Sequence, residues 1–418
     1  MRTAAFVALD VVLVLAVSRV LRGVLARAGQ PPVMAEVLAG LVLGASVLGA
    51  LPGEPTAALF PADARGVLAV LGQIGVVAYL FGVGARLELR GRPAERRAVG
   101  AVAAGSFAVP WVAGAGLAVA VHGGVAGNPP LLPFALFLGT AFAVTAFPVL
   151  ARIVEARGLT DRPAGRVALG AAAGQELLVW PALAAALALA GTGGRSVPAV
   201  LGLGAVAIAL VIGRARVVPP RGLAVLAGLA AAAVATETAG LHLVLGAFLY
   251  GAALPAPQRA AGVALLRTRP ATLTSAALLP LFFALPALRV DATALGTSGL
   301  GLLAVVLAVA VAAKLASASG AAALAGMPRR DALTVGALMN ARGLVELVVL
   351  SVGLDAGLID ARLFAVMVLM ALATTFLTGP LVTRIGRLRE DGDHGTAARR
   401  DGGPGARRAS PRAGAAGA

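Results

Sequence analysis

In the stretch "AAAGQELLVW", residues 171–180, a glutamine and a glutamate stand in otherwise apolar company, with no cationic residue among them. A carboxylate placed there needs a partner, a water-filled cavity or a task. Glu176 can hold a proton or a monovalent cation, but not both, and competition for one site is enough to couple two fluxes. Gln175 can offer its amide oxygen as a ligand but cannot titrate. Lys314, in "VLAVAVAAKLASASG", is the only lysine of the chain, every other basic side chain being arginine. Arginine stays protonated, whereas a desolvated lysine can release its proton. A lone lysine at membrane depth therefore points to a removable proton or a compact charge; the plainer reading is a side chain that snorkels to the membrane edge.

Two further stretches interrupt apolar helices. In "FLGTAFAVTAFPVLARIV" (137–154) the breaks come from Thr140, Thr145 and Pro148, and in "VGALMNARGLVELVVL" (335–350) from Asn340, Arg342 and Gly343. Proline removes a backbone donor and frees a carbonyl one turn earlier. Interrupted segments in corresponding positions of two halves mark a transporter binding site near the bilayer midplane. Hard monovalent cations favour oxygen ligands, so Thr145, carbonyls freed around 143–145 and Glu176 form a candidate cage, and Gln175 and Thr140 join them as candidate cation- and proton-binding residues. Asn340 and Arg342 are placed to balance facing half-helix ends. Arg342 and Glu346, four residues apart on one helix face, can pair. Asp10, Glu36 and Glu237 lie nearer span ends, where interfacial charges and helix caps are common.

The elements that must hold these groups are membrane helices. The chain has 418 residues, 59% of them hydrophobic and 13% charged, with mean hydropathy +0.92. A soluble surface needs more charge. Apolar runs of about 20 residues recur throughout and suggest about thirteen spans. Their rough limits are 4–26, 33–51, 66–86, 98–121, 131–154, 165–190, 197–213, 221–238, 241–255, 270–288, 296–318, 331–353 and 361–384. The first is read as a true membrane helix, because no cleavage site and soluble domain follow it. The net charge of +16 would suggest nucleic acid in a soluble protein. Here the arginines cluster in alternate loops, as around Arg22 and Arg27, Arg96 and Arg97, Arg162 and Arg166, Arg214 and Arg216, and Arg329 and Arg330. The positive-inside rule then puts the N-terminus outside and the C-terminus in the cytoplasm. Residues 1–384 form the membrane domain, and 385–418, polar and rich in Gly, Pro and Arg, read as a disordered basic tail. With no cysteine, disulfides and thiolate metal sites are excluded. The scattered His122, His242 and His394 suit loops and helix ends better than a metal. Gly202 and Gly204 read as close helix packing, because the strand–helix context of a nucleotide site is missing. No enzymatic constellation and no cofactor site are expected.

Three blocks carry a family likeness. "QPPVMAEVLAGLVLGASVLG" (30–49), "TAFAVTAFPVLARIVEARGLT" (140–160) and the long stretch 336–382 from "GALMNARGLVEL" to "FLTGPLV" resemble the monovalent cation:proton antiporter-2 family, and within it the plant-type cation/proton exchanger branch. The resemblance spans roughly residues 5–385. It implies an all-α, inverted-repeat sodium/proton antiporter fold in which the fifth and twelfth spans cross as discontinuous helices. It also implies a dimerisation domain beside a core domain, a homodimer in the cell membrane, and exchange of Na+ or K+ for protons by alternating access. Gln175-Glu176 stands where the family usually has Asn-Asp or Asp-Asp, Gly44-Ala45-Ser46 replaces a family "GPS", and "FGVGARLELR" (81–90) is less acidic than the family pattern. The resemblance implies that Lys314 pairs with the first acid of the hallmark pair; with glutamine there, the lysine is free to turn to Glu176. Gating by cytosolic nucleotide or thiol ligands is not expected, since no domain for it follows. The altered pair keeps two alternatives open: a transport-inactive sensor or scaffold, and a uniporter or channel.

Overall fold

The structure is a computed structural model that describes residues 2–53, 55–86, 93–125, 128–191, 197–219 and 221–401. Among them every regular element is helical. That is what lipid demands, because a helix satisfies its own backbone groups. In chain order the α-helices are α1 (Arg2–Arg27), α2 (Pro32–Leu43), α3 (Pro55–Leu59), α4 (Ala62–Arg86), α5 (Pro93–Val121), α6 (Leu131–Ala143), α7 (Phe147–Ala156), α8 (Pro163–Leu189) and α9 (Val197–Val217). There follow α10 (Gly222–Thr238), α11 (Leu243–Ala253), α12 (Ala256–Leu266), α13 (Arg269–Ala287), α14 (Gly296–Leu324), α15 (Arg329–Met339), α16 (Leu344–Asp355) and α17 (Ala361–Asp401). Seven described helical segments are long and apolar enough to cross a membrane, counting α6 and α7 as one.

The helices pack as two groups. One, the core group, joins α5, α6, α8, α14, α15 and α17, with α7 and α16 inserted among them. The other, the scaffold group, joins α1, α2, α4 and α9–α13. Close approach within the scaffold depends on small residues, as is usual between membrane helices. A Cβ on Gly40 of α2 would lie 2.0 Å from the carbonyl oxygen of Ala284 on α13. The groups meet where α2 and α4 touch α7, where α13 touches α16 and where α8 touches α9.

Both interrupted spans are broken helices. The chain leaves helical conformation at residues 144–146, between α6 and α7, with Pro148 in the first turn of α7 where its missing N–H costs nothing. It does so again at 340–343, between α15 and α16, where Gly343 has φ +157° and a Cβ would meet Val149 Cγ2 at 2.8 Å. The two breaks bond to each other. Ala146 N donates to Ala341 O (3.0 Å), and Thr145 Oγ1 donates to Met339 O (3.1 Å).

Several expectations change. The run 33–51 helixes only to Leu43 before a turn. The loop expected after residue 255 contains α12. The last helix continues beyond residue 384 to Asp401, where the composition suggests a tail; residues 402–418 lie outside the described residues, as do Arg90, Arg92 and Arg195. Glu237 does cap, accepting from Leu243 N at the start of α11 (2.8 Å). His242 sits at that helix end too, with Nδ1 accepting from Val244 N. Asp10 and Glu36, expected as exposed span-end charges or caps, are both fully buried. Helix packing covers Asp10, and Glu36 is drawn into ion pairs between helices.

Candidate functional site

The crossing leaves helix ends facing each other inside the core group. Helix α6 ends at Ala143, so its last carbonyls have no partner within the helix and carry its partial negative charge. Two cations meet that end. Arg342 donates through Nη1 to Ala141 O (3.1 Å) and through Nη2 to Phe142 O (2.6 Å). Lys314, from α14, donates to Ala143 O (2.5 Å) and to Ser106 O on α5 (2.8 Å). The N-terminal end of α16 has the opposite polarity, and Glu346 occupies its first turn. Arg342 Nη1 and Glu346 Oε1 are 3.3 Å apart, so the guanidinium bridges the end of one half-helix and the start of another. The break itself is pinned to α17: Arg342 N donates to Thr375 Oγ1 (2.8 Å), and that hydroxyl donates to Arg342 O (2.6 Å).

Glu176 and Gln175 are consecutive on α8, about 100° apart around the helix, and they face different partners. Gln175 Nε2 donates to Ser106 Oγ (2.6 Å). Ser106 thus ties the Gln175 amide and, through its carbonyl, the Lys314 ammonium to α5. Glu176 Oε2 accepts from Trp180 Nε1, one turn further along α8 (2.7 Å). The Trp180 ring stacks on His242 of the scaffold, with centroids 5.7 Å apart. All eight residues singled out above (Glu176, Gln175, Thr145, Thr140, Lys314, Arg342, Asn340, Glu346) are at most 2% exposed.

Placement differs from expectation at Ala143, Lys314 and Asn340. The Ala143 carbonyl, expected in a cation cage, is taken by Lys314. The ammonium is held by two backbone carbonyls, one of them at the end of α6, and does not turn to Glu176. Thr140 Oγ1 donates back to Leu136 O (2.7 Å), which commits its proton and leaves its oxygen lone pairs free for a ligand. Asn340 Nδ2 reaches Thr374 O at 3.4 Å and leaves the balancing of α6 to Arg342 and Lys314. The Gln175, Asn340 and Glu346 side chains each keep one buried oxygen without a hydrogen-bond partner. Such oxygens are costly unless something binds them, and they are the ligand type a hard cation takes. Sequence reasoning missed Ser106, Trp180 and Thr375. Trp180 was within reach, being four residues after Glu176 and one of only two tryptophans. Ser106 and Thr375 carry no sequence signal, as hydroxyls are common in membrane helices.

The family profile described as "Sodium/hydrogen exchanger, transmembrane" matches residues 12–388. The chain belongs to this sodium/hydrogen exchanger family. Among curated relatives, this exchanger-family chain is 34% identical over 395 residues to "Cation/H(+) antiporter 19" of Arabidopsis thaliana, covering 90% of the chain and 49% of the relative. It is 33% identical over 399 residues to "Na(+)/H(+) antiporter NhaS4" of Synechocystis sp., covering 90% and 96%. The exchanger-family chain thus spans about half the length of the plant relatives it matches. Among solved structures, the sodium proton antiporter MjNhaP1 from Methanocaldococcus jannaschii superposes with TM-score 0.64, covering 92% of this chain and 97% of that one. At 14% identity that likeness establishes the antiporter fold alone.

Proposed function

We propose that the chain exchanges a monovalent cation, Na+ or K+, for protons by alternating access, with Glu176 as the carboxyl for which the two ions compete. One observation carries this reading. Glu176 is a buried carboxyl held by a neutral donor, Trp180 Nε1, while both buried cations are engaged elsewhere. Arg342 is committed to Glu346 and the α6 carbonyls, and Lys314 to Ala143 and Ser106. A buried carboxyl without a fixed counter-charge is stable protonated, or ionised with a mobile cation beside it. Exchange of those two states is antiport.

In this reading Gln175 lends its amide oxygen to the cation, Thr145 holds the crossing, and Lys314, Arg342, Asn340 and Glu346 compensate charge around it. The names of the relatives, cation/H(+) and Na(+)/H(+) antiporters, favour the same activity. The protein works as a homodimer in the cell membrane, N-terminus outside and C-terminus cytoplasmic, and serves pH and cation balance. The deciding experiment is exchange in proteoliposomes with an internal pH dye, each alkali cation imposed in turn. Cation-driven proton movement in the wild type and none in Glu176→Gln is the expected result. Equal exchange by both removes Glu176 from the mechanism.

A further inference from the structure

The core and scaffold groups are joined unevenly at their two ends. At the end where α7 terminates, charged side chains cross between the groups. Arg152 of α7 places Nη2 2.9 Å from Glu36 Oε1 on α2, and Arg22 of α1 reaches the same oxygen at 3.3 Å. Arg152 also lies over the Tyr79 ring of α4, 5.6 Å from its centroid. One turn on, Glu155 accepts from Tyr79 OH (3.1 Å) and faces Arg86 Nη1 (3.5 Å), both on α4. Arg157, the residue after α7, donates to Gly29 O in the α1–α2 turn (2.5 Å). Here the gap between α4 and the core helices α7 and α8, lined by Val83, Arg86, Ala151 and Glu155, has a volume of about 10 Å³.

The opposite end is open. Helix α4 rises about 1.5 Å per residue, so Arg65 lies roughly 30 Å from Arg86 along it. There a cavity of about 280 Å³ separates α4 and α13 from α16, lined by Arg65, Leu285 and Arg289 on one side and Leu347, Ser351 and Val352 on the other. Leu347 follows Glu346 directly in α16, so the cavity lies beside the half-helix that begins at the break.

We propose that Glu36, Arg152 and Arg22, seconded by Glu155 with Tyr79 and Arg86, form an ionic latch that holds the core group against the scaffold at the α7 end, and that the structure is the latched conformation with its opposite end open. Weight falls on Glu36, because it is fully buried while Arg86 and Glu155 are 47% and 41% exposed and contribute little in water. The latch rests on the alternating-access reading, since only a protein that must reopen this end needs a separable closure there.

The test uses the absence of cysteine. Single reporters, Val83→Cys at the closed end and Ser351→Cys in the open cavity, are labelled with a membrane-impermeant maleimide in nanodiscs, where both faces are accessible. The double variant Glu36→Gln/Arg152→Gln removes both charges together and so leaves no buried carboxylate or guanidinium unpaired between them. Val83→Cys should label about tenfold faster in that background, the population change produced by about 1.4 kcal/mol of lost coupling, while Ser351→Cys should label more slowly. Any other pattern overturns the latch, including faster labelling of both reporters with a lower melting temperature, which would mean a purely structural role. Exchange by the wild type is measured separately: its absence sinks the antiport reading, while the labelling still decides the latch.

Discussion

At the residue scale, the site separates two jobs that the amino-acid types leave combined. Lys314 and Arg342 hold the end of α6, and Glu176, bonded to Trp180 alone, is the carboxyl we propose for the exchanged ion. Glu176→Asp keeps the charge but shortens its reach, so it should retain partial exchange with an altered cation preference, read as relative rates across Li+, Na+ and K+. On the proposed competition of proton and cation for one group, lowering the pH should raise the cation concentration needed for half-maximal exchange, with little change in the saturated rate. A pH-independent half-saturation would remove the competition. Trp180 offers a direct reporter. With Trp111→Phe it becomes the sole tryptophan, and cation binding should change its emission through the Nε1–Oε2 bond. That change should vanish in Glu176→Gln.

The broken helices, at the scale of elements, are stabilised by each other and by fixed charges. Lys314→Ala would leave the Ala143 and Ser106 carbonyls without this donor, at about 1–3 kcal/mol for each buried group left unsatisfied. The expected result is a marked fall in melting temperature. Lys314→Arg should keep the charge but misplace it, because a planar guanidinium cannot take the position of an ammonium between two carbonyls. If that variant transports with an unchanged pH profile, the lysine proton takes no part in the cycle. Gly343 is the other point of rigidity. Gly343→Ala asks an L-residue to adopt φ +157° and brings a methyl to 2.8 Å from Val149. It should cost about 1–3 kcal/mol and loosen α7 against α16, seen as a lower melting temperature and slower exchange.

For the whole molecule, the count of buried charges bears on voltage. Glu346 and Arg342 form one pair, and the charge count then turns on Lys314, which either keeps its proton throughout the cycle at the end of α6 or releases it when the cation binds. If Lys314 keeps its proton, the other carboxyl beside the crossing, Glu176, would on the proposed reading carry either one proton or one cation, so both loaded forms have the same charge. Exchange should then be one for one and indifferent to membrane potential. With two protons per cation, each net charge moved would feel about 2.3 kcal/mol per 100 mV. The measurement is Na+ or Li+ exchange in liposomes under a potassium–valinomycin potential of either sign. Acceleration by one polarity and slowing by the other would refute the electroneutral cycle. Gln175→Asp restores a second acid beside Glu176 and should introduce such sensitivity.

Much of this was legible in one dimension. Apolar run length is a local property, and it marked out the helical membrane architecture. Thr145 with Pro148, and Asn340 with Gly343, disrupt their own backbone, so the two breaks could be located before any packing was known. Glu176, Lys314 and Arg342 stood out because ionisable groups are rare at membrane depth. What these groups touch was not legible. Whether Lys314 faces a carboxylate or the end of α6 depends on how α14 crosses α5 and α6, from residues some 170 and 200 positions away. Glu36 looks like a span-end charge until α2 is laid against α7, where Arg152 meets it. Hydrogen bonds and ion pairs act over about 3 Å, so partnership between distant segments is created only by the tertiary packing that brings them within that reach.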